Sequence, residues 1–141
     1  MILEMDPGEI EAFLLSQKVG RLGCHVGRDT YVVPVIYGWD AGCFYVLTTE
    51  GKKVNMMRRN GRVCFEVDEY LPAGGWRSVI AQGIFEELGG EDAVRALQIV
   101  TERVSANRAT ESSRPHGDGS PPIAFRIRTT EVTGRKIEIG A

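Results

Sequence analysis

The segment Thr48-Thr49-Glu50-Gly51-Lys52-Lys53 carries the residue types that hold an anion. Thr48 and Thr49 offer hydroxyls, Gly51 permits a tight turn, and the spacing that follows predicts a helix from Gly51 to Asn60. A helix start presents free N–H groups and the positive end of its dipole, so it attracts anions. Lys52 and Lys53 add two cations to that first turn, where cations alone are unfavourable. An anion seated between them and the backbone resolves the conflict, and the phosphate of a bound cofactor is the chemistry expected there. Two solvated lysines on an exposed turn are the competing reading. Glu50 fits worst, since it must point away or pair with a cation.

Two further segments could line such a site. Val33-Pro34-Val35 lies in a run that is apolar on both faces, yet Pro34 cannot donate to a sheet ladder. That suggests an edge strand, or a backbone whose partner is a planar heteroaromatic ring. A second face covered by a subunit partner explains the same pattern. Trp76-Arg77-Ser78 offers an aromatic surface, a fork of donors and a hydroxyl, or else a strand entrance with a surface-packed Trp.

Other candidates carry less. Cys24 and His25 are adjacent in a strand and face opposite ways, so they do not share a metal. Two histidines and three scattered cysteines lack metal-ligand spacing, and no metal is expected. Glu66 and Asp68 share a strand face that reads as solvated. Arg58-Arg59 reads as a charged outer face from which one arginine could reach the phosphate. No Ser-His-Asp or Cys-His arrangement is legible, so no catalytic residue is assigned.

The elements that must position these residues follow from periodicity. Asp6, Pro7 and Glu9 predict a capped helix with Ile10, Phe13 and Leu14 on its apolar face. Alternation then predicts strands over 21–26, 30–37, 43–48, 62–68, 76–87, 125–128 and 136–139, with a hairpin turn at Gly27-Arg28-Asp29. A helix is expected from Glu91 to about Arg108, with Val94, Leu97, Val100 and Val104 along one side. Thr110 to Pro122 is rich in Ser, Gly and Pro and reads as a loop. Six or seven strands joined by tight turns imply a mainly β fold, a barrel with peripheral helices. The 141 residues suit one domain, 1–141. A net charge of −2 argues against a nucleic-acid partner. No apolar run is long enough for a membrane helix. With no signal peptide and an odd number of cysteines, the expected location is cytoplasmic.

The ordered set Gly20-Arg21-Leu22, Tyr31-Val32-Val33-Pro34-Val35, Gly51-Lys52-Lys53, Arg58 to Asp68 and Trp76-Arg77-Ser78-Val79 resembles the pyridoxamine 5′-phosphate oxidase-like flavin-binding split barrels. The likeness is to the branch that includes nitroimidazole-resistance proteins. It implies a six-stranded antiparallel split barrel that forms a homodimer, with flavin mononucleotide (FMN) at the subunit interface. Main chain at Val33, Pro34 and Val35 would face the isoalloxazine ring, and Thr48, Thr49, Lys52 and Lys53 would hold the ribityl phosphate. Trp76, Arg77 and Ser78 would come from the partner subunit or line the same cleft. The implied activity is reduction of a small-molecule substrate by a reduced nicotinamide. Alternatives are a non-catalytic flavin-binding or redox-sensing module, or a haem- or deazaflavin-binding barrel. The end of the chain, Gly134 to Ala141, departs from the arginine- and tryptophan-containing signature of the true oxidase.

Overall fold

The computed structural model describes residues 1–107 and 122–139, with the side chains of 103–107 left out. His116 and all of the expected loop from Thr110 except Pro122 lie outside the described residues. The chain forms β1 (Leu3–Glu4), α1 (Pro7–Ser16), β2 (Val19–Val26), β3 (Asp29–Ile36), β4 (Gly38–Asp40) and β5 (Cys43–Thr48). It continues with α2 (Lys52–Arg59), β6 (Arg62–Tyr70), β7 (Trp76–Leu88), α3 (Gly90–Asn107) and β8 (Ile123–Ile137).

The strands form one antiparallel sheet in the order β3-β2-β6-β7-β8-β5-β4, with β1 added to β8. Its two ends are consecutive in the chain: only Tyr37 separates β3 from β4. The sheet must therefore curl until its ends meet, which makes a barrel. No ladder joins β3 to β5, so the wall is split there. Tyr37 pins this seam. It is fully buried, its hydroxyl donates to the Leu14 carbonyl at 2.7 Å, and its N–H donates to the Lys18 carbonyl at 2.9 Å.

Alternate residues fill the interior: Leu22, Cys24, Val35, Phe44, Val46, Phe65, Val67, Val79, Ala81, Phe125 and Ile127. Phe44 stacks on Phe65 at 4.0 Å between ring centroids. Helix α1 closes one end with Phe13 and Leu14, and its start carries the expected capping box between Asp6 and Glu9. Helix α2 sits at the other end through Val54, Met56 and Met57.

Two expectations change. The two closing strands are one strand, β8, because Thr129 to Arg135 continue the ladder to β7 across a register shift at Gln82/Gly83. The β-branched Thr129, Thr130, Val132 and Thr133 favour that extended path. Six long strands result, plus the short β1 and β4. Helix α3 buries Ala96 and Val100, with Ala93 and Ile99 partly covered, whereas Val94 and Leu97 are exposed. Small alanines let the helix approach the sheet closely, and Ile99 packs against Gly38 where a Cβ would leave only 2.4 Å. No described helix is long and apolar enough to cross a membrane.

Candidate functional site

Strand β5 ends at Thr48, and the chain turns through Thr49-Glu50 into α2. Gly51 is the N-cap, and no side chain caps the helix. The first-turn N–H groups thus keep their capacity to bind an anion. The apolar face of α2 packs on the barrel end and carries both lysines with it. Lys53 is half-buried, and burial holds its ammonium pKa below the ordinary value, opposed by Cys24 when its thiol is ionised to the thiolate. Burial pushes the Cys24 thiol up, while Lys52 and Lys53 oppose that rise. The Lys52 ammonium lies 4.8 Å from the centroid of the Tyr31 ring. Among the described residues, neither lysine has a carboxylate within ion-pair distance.

Glu50 does not compete for these cations. Its carboxylate is 2.7 Å from Arg58, which also holds Glu87 at 2.8 Å. Arg58 is therefore committed to two carboxylates and does not serve the anion site. The acidic residue that fitted worst is held by Arg58 rather than by either lysine.

Val33, Pro34 and Val35 stand on β3, an end strand paired, among the described residues, only with β2. Pro34 lies opposite Arg21 and is exposed, while Val35 is buried and Val33 partly so. The proline marks an edge, as its missing N–H requires. The unpaired backbone of β3 borders the split across from β5. Tyr31 on β3 and Lys52 on α2 tie this edge to the Thr48–Lys53 junction.

The third segment is placed elsewhere. Thr48 pairs with Ile123, one residue from the Ala124 that pairs with Leu88. Ser78 stands ten residues back along β7, a span of roughly 33 Å at about 3.3 Å per residue. Trp76, Arg77 and Ser78 therefore occupy the α1 end of the barrel. Arg77 binds Glu69 and lies 4.7 Å from the Phe13 ring centroid, and its Nε is buried without a partner. Within one protomer these residues do not line a cleft with Lys52 and Lys53.

Sequence reading missed Tyr31 and Cys24 as neighbours of the lysines. Counting outward from the Gly27 hairpin pairs Tyr31 with Cys24, which was the available signal. It also missed a groove of about 630 Å³ on the outer face of β2, β6 and β7, lined by Arg21, Gly23, Cys64, Glu66 and Gln82. Glu66 is not a plain solvated carboxylate. Burial, then the hydrogen bond and charge of Asp68, push it up to about 7 against the pull of Arg21. Among the described residues, no three His, Cys, Asp or Glu side chains gather as metal ligands.

Known proteins share this architecture. A crystal structure of an FAD-binding protein from Mesorhizobium loti is 29% identical, covers 98% of this chain and 99% of its own, and superposes with a TM-score of 0.83. A putative 5-nitroimidazole antibiotic resistance protein from Bacteroides thetaiotaomicron shares the fold at 20% identity, covering 96% of this chain and 87% of its own with a TM-score of 0.79. An uncharacterized protein of Rhizobium meliloti is 27% identical over 84 residues, and the match spans 60% of this chain and 56% of that relative's length. The family model for pyridoxamine 5′-phosphate oxidase matches residues 6–136, and the chain belongs to that family.

Proposed function

We propose that this chain is an FMN-binding flavoprotein that reduces a small-molecule acceptor at the expense of a reduced nicotinamide. The observation that carries the reading is Lys53, a half-buried cation with no carboxylate partner among the described residues, beside an uncapped helix start. A buried charge needs a partner, and a phosphate supplies one. Lys52, Lys53, Thr48 and Thr49 would hold the phosphate, and the free β3 edge at Val33, Pro34 and Val35 would meet the ring. Bound flavin supplies electron transfer, and the protein supplies binding, orientation and electrostatics. The FAD-binding description of the Mesorhizobium loti protein supports a flavin as the bound group. Two lysines suit a single terminal phosphate, which favours the mononucleotide.

Homodimerisation belongs to the same proposal. The outer face of β3, β2, β6 and β7 carries exposed Val32, Pro34 and Ile80 interleaved with Arg21, Glu66 and Gln82, a mixed surface suited to a second copy. A two-fold axis crossing the strands reverses their direction. It would bring Trp76, Arg77 and Ser78 of one protomer towards Lys52 and Lys53 of the other.

The test is anaerobic addition of reduced nicotinamide to FMN-loaded protein, followed through the visible flavin absorbance. Bleaching, and its recovery with a quinone or nitro compound, supports the oxidoreductase. Retained flavin that no nicotinamide reduces identifies a non-catalytic flavin-binding or redox-sensing module instead.

A further inference from the structure

We infer that Tyr31 is a positioning residue for the anion site, holding the Lys52 ammonium in place ahead of ligand binding. This rests on the FMN reading and extends it to a residue outside the expected set. Lys52 is exposed, and a free lysine there would sample many rotamers, each of which must be surrendered on binding phosphate. Its ammonium instead lies 4.8 Å from the Tyr31 ring centroid, within cation–π range. Tyr31 is itself held, because β3 pairs it with Cys24 on β2 and its ring packs against the barrel core. Cys24 is the same thiol that feels the charges of both lysines. The ring therefore holds the Lys52 ammonium at the barrel mouth that the half-buried Lys53 also flanks, and among the described residues no carboxylate pairs with either lysine. An aromatic face can do this where a carboxylate cannot, because it orients the cation and leaves the charge for the phosphate.

The experiment measures FMN and riboflavin binding by quenching of flavin fluorescence. Riboflavin lacks the phosphate and serves as the internal control. Tyr31→Leu should weaken FMN binding roughly 3- to 10-fold and leave riboflavin unchanged. Tyr31→Phe should stay within about twofold of wild type, since the ring remains. Tyr31→Leu combined with Lys52→Ala should bind FMN no more weakly than Lys52→Ala alone. In wild type the Lys52 ε-methylene protons should resonate upfield from the ring current, a readout that needs no ligand and no variant. An unshifted Lys52 signal, an unchanged FMN affinity in Tyr31→Leu, equal losses for FMN and riboflavin, or additive losses in the double variant would each overturn the inference. If wild type itself binds no FMN, the functional reading fails and the inference falls with it.

Discussion

Glu50 and Arg58 are joined at 2.7 Å across α2, and the same guanidinium holds Glu87. This pairing removes the acidic side chain that, among the described residues, would oppose an anion at the helix start. Arg58→Ala should release Glu50 towards Lys52 and Lys53 and weaken FMN binding about threefold, a surface-charge effect. Glu50→Gln in the same background should restore the affinity. Titration at low and high salt checks the origin, because the loss should shrink as salt screens the charge.

Lys53 predicts a conflict between stability and binding. A half-buried ammonium with no carboxylate partner among the described residues opposes folding of the empty protein, so Lys53→Met should stabilise it by about 1 kcal/mol, a figure discounted for its exposed half. The folded pKa lies below the ordinary 10.5, so the unfolded chain binds the extra proton. The Lys53 contribution to stability of the empty protein therefore rises as pH climbs towards 10.5, against the falling contributions of the Cys24, Cys43 and Cys64 thiols, which burial pushes up, and Lys53→Met should remove that rising component relative to wild type. Thermal melts of the flavin-free protein across alkaline pH measure both effects.

Glu66 titrates in the opposite sense. Its folded pKa of about 7 lies above the ordinary 4.5. Its contribution is fully present below 4.5 and is lost as pH rises through about 7. Glu66→Gln keeps a donor for Asp68 without the charge. It should flatten the stability profile over that window and add about 1 kcal/mol at pH 8, discounted for partial exposure. Urea melts at a series of pH values decide this, and a profile unchanged from wild type would contradict it.

Gly20 has a packing reason to be glycine. A Cβ there would meet Phe65 Cε1 at 2.2 Å and Cζ at 2.8 Å. Phe65 is fully buried and stacked on Phe44, so it has little room to move. Gly20→Ala should cost roughly 1–3 kcal/mol in overpacking, read from denaturant midpoints.

Much of the fold was legible in the sequence. The period-2 runs, the Asp6 capping box and the turn glycines located the long strands and α1. The face of α3 was not legible, because Val94 and Leu97 follow helical spacing while Ala93 and Ala96 take the close contact. The length of β8 was missed because its polar threonines conceal a ladder set by β7. For the site, residue types marked Lys52 and Lys53, but only the register placed Tyr31 and Cys24 beside them. The separation of Ser78 from the lysines was invisible for the same reason: it depends on which ends of the strands adjoin.

That separation predicts complementation between subunits. Lys53→Ala and Ser78→Arg should each impair FMN binding alone. If Ser78 acts from the partner, unfolding and refolding the two variants together should restore about a quarter of native sites. Mixed dimers would then contain one site with both native residues. No recovery on mixing would place Ser78 outside the site.

The central claim is that the Lys52–Lys53 mouth binds the phosphate of FMN. The most direct measurement compares FMN and riboflavin affinities in wild type and in the Lys52→Ala, Lys53→Ala double variant. Wild type should bind FMN more tightly than riboflavin, and the double variant should lose at least about tenfold for FMN alone, as expected for two charge-assisted contacts. A wild-type protein that takes up no FMN, or a double variant that binds it equally well, would contradict the account.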